Sequence, residues 1–260
     1  MRTLAVNANA ETGAAIMPLK RLYVAERLAA GAELQLAEEA ARYLGRVLRL
    51  RVGDTLNVFN GDDGEWSATI SRFGKDRVSL AVHEVVANAS EPGLKIHLVQ
   101  GISRGDRMDF VVQKATELGA VRITPVLTEY GVVKLDDKRA GKRRLHWRRV
   151  AESACEQSGR VSPPQVDAPL PLNDWLGTAR GGDSTNLILV PGAARPLSGV
   201  DEPATQLCLL IGPEGGFSER ECDDAALAGF EAVALGPRTL RTETAAVAAL
   251  AIAQGLWGDL

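Results

Sequence analysis

Between residues 21 and 86, apolar and polar residues alternate with a period of two, the spacing of strands that bury one face. Candidate strands fall at 21–24, 33–36, 55–59, 65–71 and 77–85, separated by turn-forming runs at 53–54, 60–64 and 74–76. One helix-like stretch, 38–48, interrupts them. Several short strands around one helix predict a small β-barrel, which removes exposed sheet edges. On that helix Arg42, Arg46 and Arg49 fall at i, i+4 and i+7, which puts three guanidiniums on one stripe and turns Leu44, Val47 and Leu48 to the barrel.

Residues 87–93 read as a linker, with Asn88, Ser90, Glu91, Pro92 and Gly93 close together. Beyond them the period changes. Strand-like runs at 95–100, 121–127, 186–190, 206–211 and 232–235 alternate with helix-like runs at 107–118, 142–158, 219–228 and 244–257. Such alternation predicts an α/β unit with a mostly parallel sheet covered on both faces, and the continuous apolar character of 187–190 and 207–211 agrees. The chain thus divides into a small-residue extension over 1–20, a barrel over 21–86, the linker, and an α/β unit over 94–260. Met17 stands just before the first strand and is a second candidate start.

Composition narrows the function classes. Hydrophobic residues are 45% and charged residues 24% of the chain, an ordinary globular balance. The C-terminal apolar run 245–253 is far short of the roughly 20 residues a membrane span needs, and residues 1–20 lack a secretory h-region. Cys155, Cys208 and Cys222 form no metal-ligand spacing or disulfide framework, so no metal is expected and a reducing, cytoplasmic setting is. The net charge of −3 hides an uneven distribution. Lys138, Arg139, Lys142, Arg143, Arg144, Arg148 and Arg149 come without an acid between them, interleaved with His146 and Trp147, whereas acids crowd 201–224. A local basic patch is what a phosphate backbone meets; a solvated helix face explains a charge run equally well.

The candidate chemistry sits where strands of the second unit end, the place where open α/β sheets bind ligands. Val190 runs into Pro191-Gly192. Ile211 runs into Gly212-Pro213-Glu214-Gly215-Gly216-Phe217, and Ser218 with Glu221 then makes an S-x-x-E capping box. A strand, a glycine-rich turn and a capped helix suit a nucleotide-like ligand, although the loop lacks the spacing of a P-loop or a dinucleotide fingerprint, and an ordinary tight turn has the same composition. Leu235 runs into Gly236-Pro237-Arg238-Thr239-Leu240-Arg241-Thr242-Glu243-Thr244, a dense polar cluster between a buried strand and an alanine-rich helix that needs partners.

These two segments, LLIGPEGGFSEREC and LGPRTLRTETAA, resemble the signature segments of the RsmE family, SPOUT-class methyltransferases acting on 16S ribosomal RNA. GRVLRL, SRGDRMDFVVQKATELG, ITPV, ACEQSGR and the terminal GDL resemble the family in the same order, over about residues 21–260. The resemblance implies a PUA-like RNA-binding barrel followed by a domain with a deep trefoil knot, a homodimer, S-adenosylmethionine as cofactor, and methylation of uridine N3 in the decoding region of the small subunit. Carried over by motif, the cofactor site comprises Leu189, Pro191, Gly192, Ile211, Gly212, Gly215, Leu235, Gly236, Leu240, Arg241 and Thr242. Tyr130-Gly131 and Pro191-Gly192 depart from the usual family residues at a strand end and at the pocket rim.

Uracil N3 is a poor nucleophile until its proton leaves. Arg238 and Arg241 are the candidate cations for the uridinate, and Glu243 the candidate carboxylate to take the proton or orient an arginine; stabilising the N-terminus of the last helix is an equal alternative for Glu243. Glu214 is expected to hold its own glycine loop. His83, His97 and His146 lie outside these motifs, and no cysteine has a nucleophile–base pattern. The RNA surface is expected to combine Arg42, Arg46 and Arg49 with Arg143, Arg144 and Arg148. Rival functions are a SPOUT enzyme acting on another RNA position or a ribose 2′-oxygen, and a ribosome-assembly protein that binds RNA without catalysis.

Overall fold

The computed structural model describes residues 20–260 except 75, 87–92, 134–135, 179–183 and 204–205. The N-terminal extension with Met17, and all of the linker but Gly93, lie outside the described residues.

The first unit holds β1 (Arg21–Tyr23), β2 (Glu33–Leu36), α1 (Glu38–Arg42), β3 (Thr55–Phe59), β4 (Glu65–Phe73) and β5 (Val78–Val85). Its sheet runs in the order β1-β3-β4-β5-β2, with β1 parallel to β3 and the other pairs antiparallel. The expected closed barrel is corrected to an open path, because β1 and β2 lie at its two ends. The β1 edge is satisfied by the second unit instead: the Tyr23 amide donates to Glu156 Oε1 at 3.0 Å.

The expected helix over 38–48 also changes. The α-helix stops at Arg42 and a π-turn covers Tyr43–Val47. Gly45 contributes little helix propensity, and both Leu44 and Leu50 must reach the core, where they are buried. Arg49 follows with φ 55°, off the helix, so it is not on a common helical stripe with Arg42 and Arg46. All three arginines remain exposed.

The second unit holds β6 (Lys95–Gly101), α2 (Arg107–Glu117), β7 (Ala120–Leu127), α3 (Asp137–Ser158), β8 (Gln165–Val166), β9 (Leu170–Pro171), α4 (Leu172–Thr178), β10 (Ser184–Leu189), β11 (Arg195–Pro196), β12 (Gln206–Ile211), α5 (Glu219–Leu227), β13 (Glu231–Ala234) and α6 (Thr242–Trp257). Its sheet runs β11-β13-β10-β12-β6-β7-β8, with every pair parallel. β12 therefore lies between β10 and β6, two strands that precede it in the chain.

Alternate residues of the central strands serve two cores, as burial on both faces requires. Leu98, Leu187, Leu207 and Leu209 pack with Met108, Trp147 and Leu250 under α2, α3 and α6. Val99, Ile188, Cys208 and Leu210 pack with Trp175, Ala225 and Phe230 under α4 and α5. Trp147 is fully buried, and its indole nitrogen donates to Asp109 at 3.0 Å. It belongs to the core rather than to the basic face with which its sequence position interleaves it.

The two units meet at Arg21, whose ion pair within the first unit also reaches the second. The Arg21 guanidinium holds both Glu65 oxygens at 2.9 Å, stacks 4.5 Å from the Phe59 ring centroid and donates to the carbonyls of Cys155 and Arg160. Removing either partner would leave the other charge buried without compensation, at a cost of about 3–5 kcal/mol. Nearby, Arg149 of α3 lies 3.4 Å from Glu39 of α1.

Candidate functional site

The carboxyl ends of β10, β12 and β13, with the loops that leave them, enclose a cavity of about 490 Å³. Three local devices shape it. First, Gly101 at the end of β6 lies so close to the next loop that a Cβ would meet Pro213 Cδ at 2.4 Å, so only glycine lets the two loops touch. Second, Thr242 Oγ1 donates to the Gly212 carbonyl at 2.7 Å and accepts from the buried Gln100 amide at 3.0 Å, which fastens the start of α6 to the glycine loop. Third, Ser218 and Glu221 form the expected capping box at α5. The Glu221 carboxylate does double duty: Oε2 accepts from the Ser218 amide at 2.9 Å and Oε1 from the Glu129 amide at 2.8 Å. The turn after β7 is thereby tied to the glycine loop.

Of the residues singled out in the sequence, Leu189, Pro191, Ile211, Gly212, Leu235, Gly236, Leu240, Arg241 and Thr242 all line this cavity. Gly192 and Gly215 do not. Gly192, at φ 81°, turns the chain back so that the Ala193 amide reaches the Val190 carbonyl at 3.2 Å. Gly215 makes room for the 130-turn, since a Cβ there would meet the Cβ and carbonyl oxygen of Tyr130 at 2.8 Å. Val190, Phe217, Cys222, Thr239 and Arg107 line the cavity without having been among the expected cofactor contacts.

The charged groups separate into two sets. Arg238 and Arg241 are exposed on the cavity wall and make no ion pair among the described residues. Arg107, the first residue of α2, stands between Glu214 Oε1 at 2.6 Å and Glu243 Oε1 at 3.9 Å. A cation at a helix N-terminus opposes the helix dipole, and that mismatch is the sequence signal that marks Arg107. Glu214 also accepts from the Arg104 amide at 3.1 Å. Burial pushes its carboxyl pKa up, but hydrogen bonds from its own amide, the Arg104 amide and Arg107 outweigh burial and hold it low. Its role thus reaches past its own loop to the 104–107 segment. Among the described residues, Glu243 Oε2 is buried with no hydrogen-bond partner.

Arg107 and Glu214 also line a second, larger cleft of about 870 Å³, together with Arg104, Phe110, Tyr130 and Glu243. Arg42, Arg46, Arg143, Arg144 and Arg148 are exposed, and the Arg149–Glu39 contact sets α1 beside α3. The Arg144 Nε is committed to the Val166 carbonyl at 3.0 Å, and Arg148 lies 3.7 Å from Glu152. Among the described residues, no cluster of three or more His, Cys, Asp or Glu side chains is placed to hold a metal ion, and no helix is long and apolar enough to cross a membrane.

The smaller cavity fits a cofactor of the size and character of S-adenosylmethionine. Its volume falls within the roughly 300–1,000 Å³ of small-molecule sites. Leu189, Ile211, Leu235 and Leu240 offer apolar wall for an aromatic ring, and Gly212 and Gly236 offer backbone without a Cβ in the way.

Comparison with known proteins agrees with this geometry. An RNA methyltransferase domain model matches residues 90–254 and an RNA methyltransferase PUA domain model matches residues 36–82. The ribosomal RNA small subunit methyltransferase E of Buchnera aphidicola is 31% identical over 93% of this chain and 98% of its own. That of Synechocystis is 33% identical over 89% of this chain and 76% of its own. Among solved structures, a methyltransferase from Legionella pneumophila with bound cofactor SAM has a TM-score of 0.89 at 39% identity, covering 94% of this chain and 100% of its own. The ribosomal RNA small subunit methyltransferase E of Neisseria gonorrhoeae, bound to S-adenosyl methionine, has a TM-score of 0.85 at 39% identity, covering 93% and 99%.

Proposed function

Since the chain belongs to the ribosomal RNA small subunit methyltransferase E family, we propose that it methylates N3 of one uridine in the decoding region of 16S rRNA. It is an S-adenosylmethionine-dependent rRNA methyltransferase with a PUA domain ahead of the methyltransferase domain. The observation that carries the finer reading is the pair of uncommitted guanidiniums, Arg238 and Arg241, on the wall of the cofactor cavity, with the unpartnered Glu243 Oε2 nearby in sequence.

When bound, the cofactor supplies an electrophilic methyl for in-line displacement, so positioning accounts for much of the acceleration. The chain's own task is the acceptor. A guanidinium about 4 Å from a uracil carbonyl, at an effective dielectric near 20, favours the anion by roughly 4 kcal/mol before desolvation. At ~1.36 kcal/mol per unit, that lowers the N3 pKa by about three units. The Glu243 carboxylate is the group to take the proton from N3, with Arg107 3.9 Å from its Oε1, and Thr242 fixes the backbone that carries Arg241.

The substrate is 16S rRNA in the small ribosomal subunit, met by the α1 and α3 arginines through its phosphates. We read the C-terminal domain as knotted, because β12 enters between two strands already laid down and α6 then returns beneath its loop. We read the protein as cytoplasmic and as a homodimer, the latter supported by the exposed Leu227 and Leu256 at the C-terminal ends of α5 and α6.

The deciding experiment incubates the protein and labelled S-adenosylmethionine with small subunits from a strain lacking it, then maps the product by mass spectrometry. N3-methyluridine at a single decoding-region position is expected. A ribose 2′-O-methyl product, or another position, would replace the uridine-N3 reading, and cofactor binding without methyl transfer would point to a non-catalytic assembly role.

A further inference from the structure

The larger cleft has an organisation that the cofactor cavity does not explain. Phe110, Tyr130 and Val132 on its walls are 44%, 52% and 50% exposed, three large apolar side chains gathered on one charged cleft. Tyr130 is not a loose loop residue. Its turn is closed by the Gly131 amide donating to the Thr128 carbonyl at 3.0 Å, held by Glu129 donating to the buried Glu221, and seated against Gly215. Phe110 stands on the first turn of α2, one turn beyond Arg107. Rigid backbone thus presents both rings to solvent.

We propose that this cleft is the acceptor site, which receives a base flipped out of the rRNA, with Phe110 and Tyr130 as stacking platforms and Arg107 as the cation that meets a base carbonyl. The inference rests on the uridine-methylating reading above. Contiguity is the first argument: the acceptor must touch the donated methyl, and this cleft shares Arg107 and Glu214 with the cofactor cavity. Its volume of about 870 Å³ has room for a nucleotide with its sugar.

Charge is the second argument. Two arginines, Arg104 and Arg107, and three carboxylates, Asp106, Glu214 and Glu243, line the cleft together. That balance repels a phosphate and admits a neutral ring. Arg107 Nη1 donates to Glu214 at 2.6 Å and Nε stands 3.9 Å from Glu243 Oε1, while Nη2 has no partner among the described residues. The guanidinium is therefore oriented in advance with one donor edge free. A base that has lost its neighbours in the helix regains stacking on aromatic faces, and every base has a face to offer.

The test uses the full-length protein and small subunits that lack the modification. Phe110→Ala and Tyr130→Ala each should lower kcat/KM for the subunit about 5- to 100-fold, in line with single base–aromatic stacks. Cofactor affinity by calorimetry should stay within about twofold, while Phe110→Trp and Tyr130→Phe should restore the rate. Both rings are half-exposed, so the conservative pair also controls for folding. The proposal is overturned if the alanine variants turn over like the wild type, or if they lose activity only by falling to monomers in sedimentation, which would make the rings a subunit contact. If the wild type makes a product other than N3-methyluridine, the functional reading fails, and the same comparison on that product still tests the cleft.

Discussion

The Thr242 hydroxyl donates to the Gly212 carbonyl oxygen at 2.7 Å, joining the first turn of α6 to the loop that leaves β12. Both ends of this bond are walls of the cavity proposed for the cofactor, so it sets the cavity's width. Thr242→Val keeps the shape but strips a buried carbonyl and the Gln100 amide of their partner, at a cost of about 1–3 kcal/mol. The urea midpoint should fall, and the cofactor Kd by calorimetry should rise several-fold, with Thr242→Ser close to wild type. A folded valine variant with unchanged Kd would show that the clamp does not shape the cavity.

Arg241 caps α6 with an extended backbone and an exposed side chain. Solvent screens an exposed charge, so its removal should cost less than loss of a buried oxyanion donor, which is worth ~10²- to 10³-fold. Arg241→Ala should slow single-turnover methylation about 10- to 100-fold with cofactor saturating, and Arg241→Lys should recover part of the rate. An unchanged rate in the alanine variant would remove Arg241 from the chemistry.

Much of this was legible in the chain because it is local. Period-two alternation located the strands of the first sheet, uninterrupted apolar runs located the doubly covered β10 and β12, and S-x-x-E located the start of α5. The loops after β10, β12 and β13 could be singled out because polar and glycine residues have few reasons to follow buried strands. What stayed hidden depends on pairing at a distance. Arg107 reaches Glu214 across 107 positions, and only its unfavourable place at a helix N-terminus betrays it. Gly215 looks like one more ligand-loop glycine until Tyr130 is seen packed on it. The π-turn after Arg42 and the burial of Trp147 follow from which side chains the cores need, which no short window of sequence contains.

The basic face of α3 is not uniform. All four of Lys142, Arg143, Arg144 and Arg148 are exposed, but Arg144 and Arg148 are tied to Val166 and Glu152, whereas Arg143, among the described residues, has only a contact at 6.0 Å over the Trp147 ring. Reversing Lys142 and Arg143 to Glu should therefore weaken RNA binding without disturbing the fold. Each lost phosphate contact removes ~0.7–0.9 from the slope of log K against log salt, so the slope should shrink by at least about 1.4. Filter binding of 16S rRNA over a salt series reads this directly, with cofactor affinity as the control. A slope equal to wild type would place the RNA elsewhere.

His97 gives the fold a pH dependence of its own, at the end of the sheet opposite the cofactor cavity. Its Nε2 lies 2.7 Å from Thr124 Oγ1, and the Thr124 hydroxyl is donated onward to Asp167, so the ring proton sits on Nε2. Burial lowers the imidazole pKa from 6.5 to about 4, Arg122 adds to the effect and Asp167 opposes it. Between those two values the unfolded chain binds more protons than the folded one, so stability rises with pH. The contribution is complete above pH 6.5 and is lost as pH falls toward 4. A difference of this size corresponds to about 3 kcal/mol. Urea unfolding of wild type and His97→Gln at pH 7.5 and 4.5 isolates it from the carboxylates, which both proteins share. The wild type should lose more stability than the variant across that interval, and equal losses would mean that His97 is charged in the folded state.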